Sequence, residues 1–377
     1  MSAVVLFSML SACGGDTAET SVTTVTETVL STALTEPLEI TTLYEKVTTA
    51  ETTVQTAAET TDETTCETAT PVTDDILYDT DLAAFPSDSP EYELYRLFAE
   101  DVPQVEETSA ETSFDEEGNM SEVTSAAWRE GSAAFYYKDM ESGETIVVNA
   151  DKVFSAASMI KAVYCYTLIV SADGGNIDLD EQIVYDASMF VSGTGRFKDV
   201  ESGSAFTVRE LISYTMRYSD NTAYSMLRNR FGTAHFAPAM EAAGISASKY
   251  SKWWSANVVQ YGEFFAALAE YFESDSENAA WLKNEMINSM QKVMLQNALA
   301  PDTVAHKYGW DEDSYCDGGV AFSESGTYAV VFMSDLDGGH YHGANTRFIY
   351  AVGDAVKEMR ASRSAETSET AAQEVTE

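Results

Sequence analysis

Three short stretches of this 377-residue chain carry side chains able to do covalent chemistry: Ser158-Met-Ile-Lys161, Ser219-Asp220-Asn221 and His306-Lys307-Tyr308-Gly309. A serine hydroxyl is a weak nucleophile until a neighbouring base removes its proton. Lys161 stands three residues after Ser158, and on a helix residues three apart share a face. It also opens an otherwise apolar run, Met159 to Val170, where burial disfavours the charged ammonium and brings a lysine into the range of a base. Ser158 would sit at the amino-terminal end of that helix, where free N–H groups and the helix dipole favour developing negative charge. An S-x-x-K alone is a common accident in a chain of this length, and the bland reading is a surface lysine at a helix edge.

The segments around these stretches read as alternating strand and helix. Ser132 to Lys138 and Glu144 to Ala150 are rich in Val, Ile, Phe and Tyr and are joined by a Glu-Ser-Gly turn, which predicts a β-hairpin. From Ser158 to about Ala300 the pattern is helical, with helices predicted over Thr207–Tyr218, Thr222–Arg230, Val258–Phe272 and Ala279–Met294. Strand patterns return at Thr303–Trp310, Gly319–Phe322 and Thr327–Ser334. Phe348, Val352, Ala355 and Met359 then form one apolar stripe at helical spacing. The order predicts an α/β protein of the α+β kind: a five-stranded antiparallel sheet flanked by helices and interrupted by an all-α subdomain at about 155–300, with the site at their seam.

The chemistry-bearing stretches fall in register with those elements. Ser219 comes 61 residues after Ser158, between two helices, and Lys307 comes 88 residues later on a strand. S-x-x-K, S-D-N and K-x-G in this order and context resemble the signature of class A β-lactamases and penicillin-binding serine hydrolases. The resemblance covers roughly residues 125 to 362 and includes the flanks Phe154-Ser-Ala-Ala, Thr222-Ala223 and Asp317-Gly-Gly-Val-Ala-Phe322. It implies acyl transfer: Ser158 as nucleophile, Lys161 as base and Ser219 as proton relay. Asn221, Lys307, Gly309 and Trp310 would bind substrate, the last through its backbone N–H as an oxyanion donor beside that of Ser158. Asp220 is expected to brace the loop. A β-lactam or a peptidoglycan peptide is the implied small-molecule partner, with no cofactor and no metal.

Two departures bear on activity. The hydrolytic members of that family carry an E-x-x-L-N segment whose glutamate activates the deacylating water, yet Gly244 to Asn257 contains no acidic residue. Glu241, Glu263 and Glu270 read as helix-surface residues. The middle residue of the K-x-G triplet is Tyr308 in place of a small hydroxyl. The reading therefore keeps three outcomes open: a β-lactamase, a D-alanyl-D-alanine peptidase, or a silent cell-wall-binding protein.

The remaining sequence sets the surroundings. The formal net charge is −41, and the first 125 residues contain only two basic ones, Lys46 and Arg96, which excludes an electrostatic nucleic-acid binder. Leu10-Ser-Ala-Cys13 resembles the end of a lipoprotein signal, so residues 1–13 are expected to be a leader, with Cys13 lipidated and the protein extracytoplasmic on the bacterial cell membrane. Residues 14–119 read as an acidic Thr/Glu-rich spacer with a short helix near 89–100, residues 120–362 as the hydrolase domain and 363–377 as a polar tail. No apolar run is long enough to span a membrane, and a monomer is expected. Cys66 lies in the spacer; Cys165 and Cys316 are either a disulfide or two buried thiols. His340 and His342 form at most half a metal site, and Trp253 and Trp254 either line the site or pack.

Overall fold

The computed structural model describes residues 79–114, 120–246, 252–292, 294–311, 314–336 and 344–374. Cys13, Cys66, His340 and His342 lie outside them. A helix α1 (Pro90–Glu100) is followed by a two-stranded ribbon, β1 (Gln104–Phe114) and β2 (Met120–Glu130), and then by the hairpin β3 (Ala133–Asp139) and β4 (Thr145–Val148). A short strand β5 (Phe154–Ser155) leads to α2 (Ile160–Asp173), and the small strands β6 (Gln182–Val184) and β7 (Ala205–Thr207) precede α3 (Val208–Tyr218). Next come α4 (Asn221–Phe231), α5 (Phe236–Ala242), β8 (Ser255–Ala256), α6 (Val258–Phe272), α7 (Glu277–Ile287) and α8 (Leu295–Ala298). The chain closes with β9 (Thr303–Trp310), β10 (Tyr315–Ser323), β11 (Gly326–Ser334) and α9 (Ala344–Glu374).

The main sheet has five strands in the order β4-β3-β11-β10-β9, every pair antiparallel. Successive strand side chains point to opposite faces, and here both faces are covered. On β11, Ala329, Val331 and Met333 enter one core with α2 and α6, while Tyr328, Val330 and Phe332 enter a second core with α1, α8 and α9. Burial on both sides is why these strands read as continuous apolar runs.

Helix α2 runs through the first core and is buried at ten successive positions, Ile160 to Ile169. A helix apolar all round belongs in an interior, and this one carries Lys161 inside with it, 3% exposed.

Three boundaries differ from the sequence-based expectation. The packed body begins well before residue 120: Ser89 caps α1 with Pro90 at its first position, and Phe98 of that helix packs against Phe135, Phe332 and Phe348. The ribbon strand β1 also falls inside the expected spacer. At the other end, α9 continues through Glu374 where a polar tail was expected, and Arg363 pairs with Glu91 at 2.9 Å and Glu144 at 2.7 Å. The helix expected to reach Met294 stops at Ile287. Beyond it the Met290 N–H bonds to the Arg217 carbonyl, and the Leu295 N–H to Asp317, so tertiary partners take the backbone groups a longer helix would use.

Candidate active site

Ser158 is delivered by a strained turn. Strand β5 pairs with β8, and the next N–H, that of Ala156, donates to the Trp254 carbonyl at 2.7 Å. Ala157 then takes φ +44°, a left-handed conformation costly for a residue with a Cβ. The chain turns through Ala157–Met159 directly into α2, which places Ser158 at the helix entrance. Lys161 Nζ lies one turn on and donates to Ser158 Oγ at 3.0 Å.

The S-D-N stretch is the joint between α3 and α4, and each of its residues has a distinct duty. Helix α3 starts with a capping box between Thr207 and Glu210 and ends at Ser219, which adopts left-handed φ +52°. Asp220 caps α4 by accepting from the Ala223 N–H at 2.9 Å, and its second oxygen accepts from the Arg196 N–H. Asn221 accepts from Lys161 Nζ at 2.7 Å and donates to the Ser192 carbonyl at 2.8 Å. The loop at 191–196 thus wraps the joint closely. At Gly195, with φ +145°, an added Cβ would stand 2.3 Å from Asp220 Oδ2.

Lys307 enters from β9. Its Nζ donates to Ser219 Oγ at 3.0 Å and to the Tyr308 carbonyl at 2.7 Å. Gly309, two residues on and therefore on the same face, lies against the Ser158 turn. A Cβ there would come within 2.3 Å of the Ala156 carbonyl and 2.9 Å of the Ser158 nitrogen. Trp310 follows with half its surface exposed. Tyr308 turns the other way, and its ring packs against the second core.

The structure thus brings Ser158, Lys161, Ser219, Asn221 and Lys307 into one hydrogen-bonded cluster, with Gly309 against the serine turn. Lys161 also donates to the Ser219 carbonyl at 2.7 Å and lies 3.3 Å from its Oγ. Burial first, and the neighbouring Lys307 charge second, hold the Lys161 ammonium well below the usual lysine range; Asp220 opposes this. Burial also lowers Lys307, to about 7, against the opposing charge of Asp317. A neutral amine touching a serine hydroxyl can take its proton, and a second lysine can meet an anion.

Other residues fall into place around this cluster. Trp253 packs against Phe236, Tyr261 and Phe264, so its role is in the core. Cys165 and Cys316 are both free and buried, so they form no disulfide. Sequence reading missed the wrapping loop, whose signal was the pair of glycines in Ser-Gly-Thr-Gly-Arg196. It also missed a buried His306–Asp317 pair behind β9, with Nδ1 2.9 Å from both carboxylate oxygens.

Comparison with known proteins bears on this arrangement. Residues 119–359 match the profile described as the Beta-lactamase enzyme family. A curated beta-lactamase from Amycolatopsis lactamdurans is 25% identical over 209 residues, which is 55% of this chain and 64% of that protein. The chain thus spans less than two thirds of that relative's length. Among solved structures, a mutant of PBP-A in an acyl-enzyme complex with penicillin-G aligns over 62% of this chain and 91% of its own, at 20% identity and TM-score 0.54. A beta-lactamase from Sphaerobacter thermophilus aligns over 61% and 92%, also at 20% identity and TM-score 0.54. At this identity the structures share the fold.

Proposed function

The chain belongs to the Beta-lactamase enzyme family, and from that premise we propose that it is a serine hydrolase forming an acyl-enzyme on Ser158. The observation that carries this reading is the 3.0 Å contact between Lys161 Nζ and Ser158 Oγ, at a lysine whose burial and cationic neighbour favour the neutral amine. In the proposed cycle, Ser158 Oγ attacks the substrate carbonyl and Lys161 takes the serine proton. The Ser158 and Trp310 N–H groups hold the oxyanion. Lys161, now an ammonium, returns the proton through Ser219 to the departing nitrogen as the C–N bond breaks. The ester is left on Ser158 and Lys161 is neutral again. Lys307 pairs with a substrate carboxylate, and Asn221 bonds its amide side chain.

We infer slow release of the acyl group. The stretch from Gly244 to Asn257 offers no carboxylate to activate water. This favours a penicillin-binding enzyme whose own substrate is a D-alanyl peptide over a fast β-lactamase.

Intact-mass spectrometry of the full-length chain with benzylpenicillin, beside Ser158→Ala, tests the proposal. A serine-dependent adduct that persists is the expected result. One that disappears as the antibiotic is consumed would make the protein an efficient β-lactamase, and no adduct would overturn acylation at Ser158.

A further inference from the structure

The two backbone N–H groups that hold the proposed oxyanion sit on segments far apart in the chain. Ser158 lies on the turn between β5 and α2, and Trp310 ends β9, the outermost strand of the sheet. Along such a strand successive N–H groups point in opposite directions across the ladder. The Asp311 N–H donates to the Ser314 carbonyl, just before β10, at 3.1 Å. The Trp310 N–H therefore turns the other way, to the open edge of the sheet. Gly309 lets strand and turn touch, but contact alone does not aim two donors at one atom.

A side-chain bridge joins the two segments. Ser155, at the end of β5 and three residues before Ser158, donates from its Oγ to Oδ2 of Asp311, the residue after Trp310, at 2.6 Å. Both ends of the bridge are anchored. Asp311 Oδ1 accepts from Ser314 Oγ at 3.0 Å, so side chain and backbone together lock Asp311 to Ser314. Ser155 pairs with Ser255 of β8, and its carbonyl accepts from Cys316 Sγ of β10 at 3.3 Å. Its hydroxyl also accepts from the Ala157 N–H at 3.3 Å. One hydroxyl thus supports the left-handed residue that aims Ser158 and ties that turn to the end of β9. With a carboxylate as acceptor the bond is of the strong, charge-assisted kind.

We propose that Ser155 and Asp311 are positioning residues that set the spacing and aim of the two oxyanion donors, the N–H groups of Ser158 and Trp310. This rests on the reading of Ser158 as an acylated nucleophile with those two groups as its oxyanion hole. Neither residue takes part in the proposed proton transfers, so the bridge acts through geometry. Such a hole needs both donors within hydrogen-bond reach of one oxygen, and a misplacement of about 1 Å can cost about 10²-fold in rate.

The test uses the full-length protein and benzylpenicillin isotope-labelled at its β-lactam carbonyl. Infrared difference spectra after rapid mixing give the stretching band of the ester carbonyl on Ser158, and intact-mass kinetics give the acylation rate. In Asp311→Ala the band should move to higher frequency, because less well aimed donors polarise the carbonyl less, and acylation should slow by about 10- to 100-fold. Asp311→Asn keeps a carbonyl oxygen for Ser155 and should stay close to wild type in both. The Ser155→Ala, Asp311→Ala double variant should be no slower than Ser155→Ala, since both changes cut the same bond. Wild-type band and rate in folded Asp311→Ala overturn the inference, even if the melting temperature falls. Should that variant fail to fold by near-ultraviolet circular dichroism, Ser155→Ala is read by the same band and rate, and wild-type values there overturn it equally. A wild-type chain that forms no adduct overturns acylation at Ser158 and this inference with it; an adduct whose band the variants leave in place overturns this inference alone.

Discussion

Lys161 and Lys307 meet at a single atom: both ammonium groups lie on Oγ of Ser219, at 3.3 and 3.0 Å. Two cations at that separation cannot both remain charged without repelling strongly, and burial amplifies the effect. The cluster therefore divides the labour, with Lys161 pressed towards the neutral base and Lys307 left as the cation.

A pH profile follows from this division. Lys307 has a folded-state pKa lowered to about 7, so its charge is present below that pH and lost above it. The second-order rate of acylation by a carboxylate-bearing β-lactam should fall as pH rises through about 7, and a substrate without the carboxylate should lose that limb. Stopped-flow acylation over roughly pH 5 to 9 would check it. A rate for the carboxylate substrate that keeps rising through neutrality would remove Lys307 from the anion-binding role.

Lys161→Met should reduce acylation by about 10²- to 10⁴-fold, the usual contribution of a general base. Methionine fills a similar volume in the core, so the thermal melt should stay cooperative and near wild type. Wild-type adduct formation in the intact-mass experiment would end the assignment of Lys161 as the base.

Gly309→Ala places a methyl group 2.3 Å from one backbone atom and 2.9 Å from another, neither of which can rotate away. Strand β9 must then move off the Ser158 turn. The expected loss of stability is about 1–3 kcal/mol, with slower acylation because the nucleophile and its oxyanion donors separate. Denaturant melts and adduct kinetics measure both; a variant unchanged in both would mean the strand and turn are less closely apposed than described.

Asp220→Ala removes the acceptor of two backbone N–H groups, those of Ala223 and Arg196. Loss of the cap should cost about 1–2 kcal/mol. Acylation should slow as well, because Ser219 is held in its left-handed conformation between two helix ends. A melt at the wild-type temperature would show that the loop at 191–196 is held by other bonds.

Much of this arrangement was legible in the sequence. Val258–Phe272 and Thr303–Trp310 were read with the bounds they have, since each is a periodic apolar segment with a clear stop. Lys161 was conspicuous because its neighbours are apolar. What escaped depends on partners distant in the chain. The first residues of β10, Tyr-Cys-Asp-Gly, show no strand pattern and are held by their pairing with β9. Helix α7 looked longer than it is because the apolar spacing continues past Ile287, while the bond from Met290 to Arg217 belongs to another helix. Strand β1 is a Thr, Ser and Glu segment whose composition resembles a spacer. His306 and Asp317 are a pair only once the β9–β10 register is known.

The conformation of Ala157 sets a trade between stability and aim. A left-handed alanine costs the fold about 1–2 kcal/mol, and a single change to glycine would relieve it. At φ +44° Ala157 stands immediately before Ser158, so the same strained residue fixes the direction in which the chain presents that hydroxyl, and a glycine there would free the turn as it relaxed it.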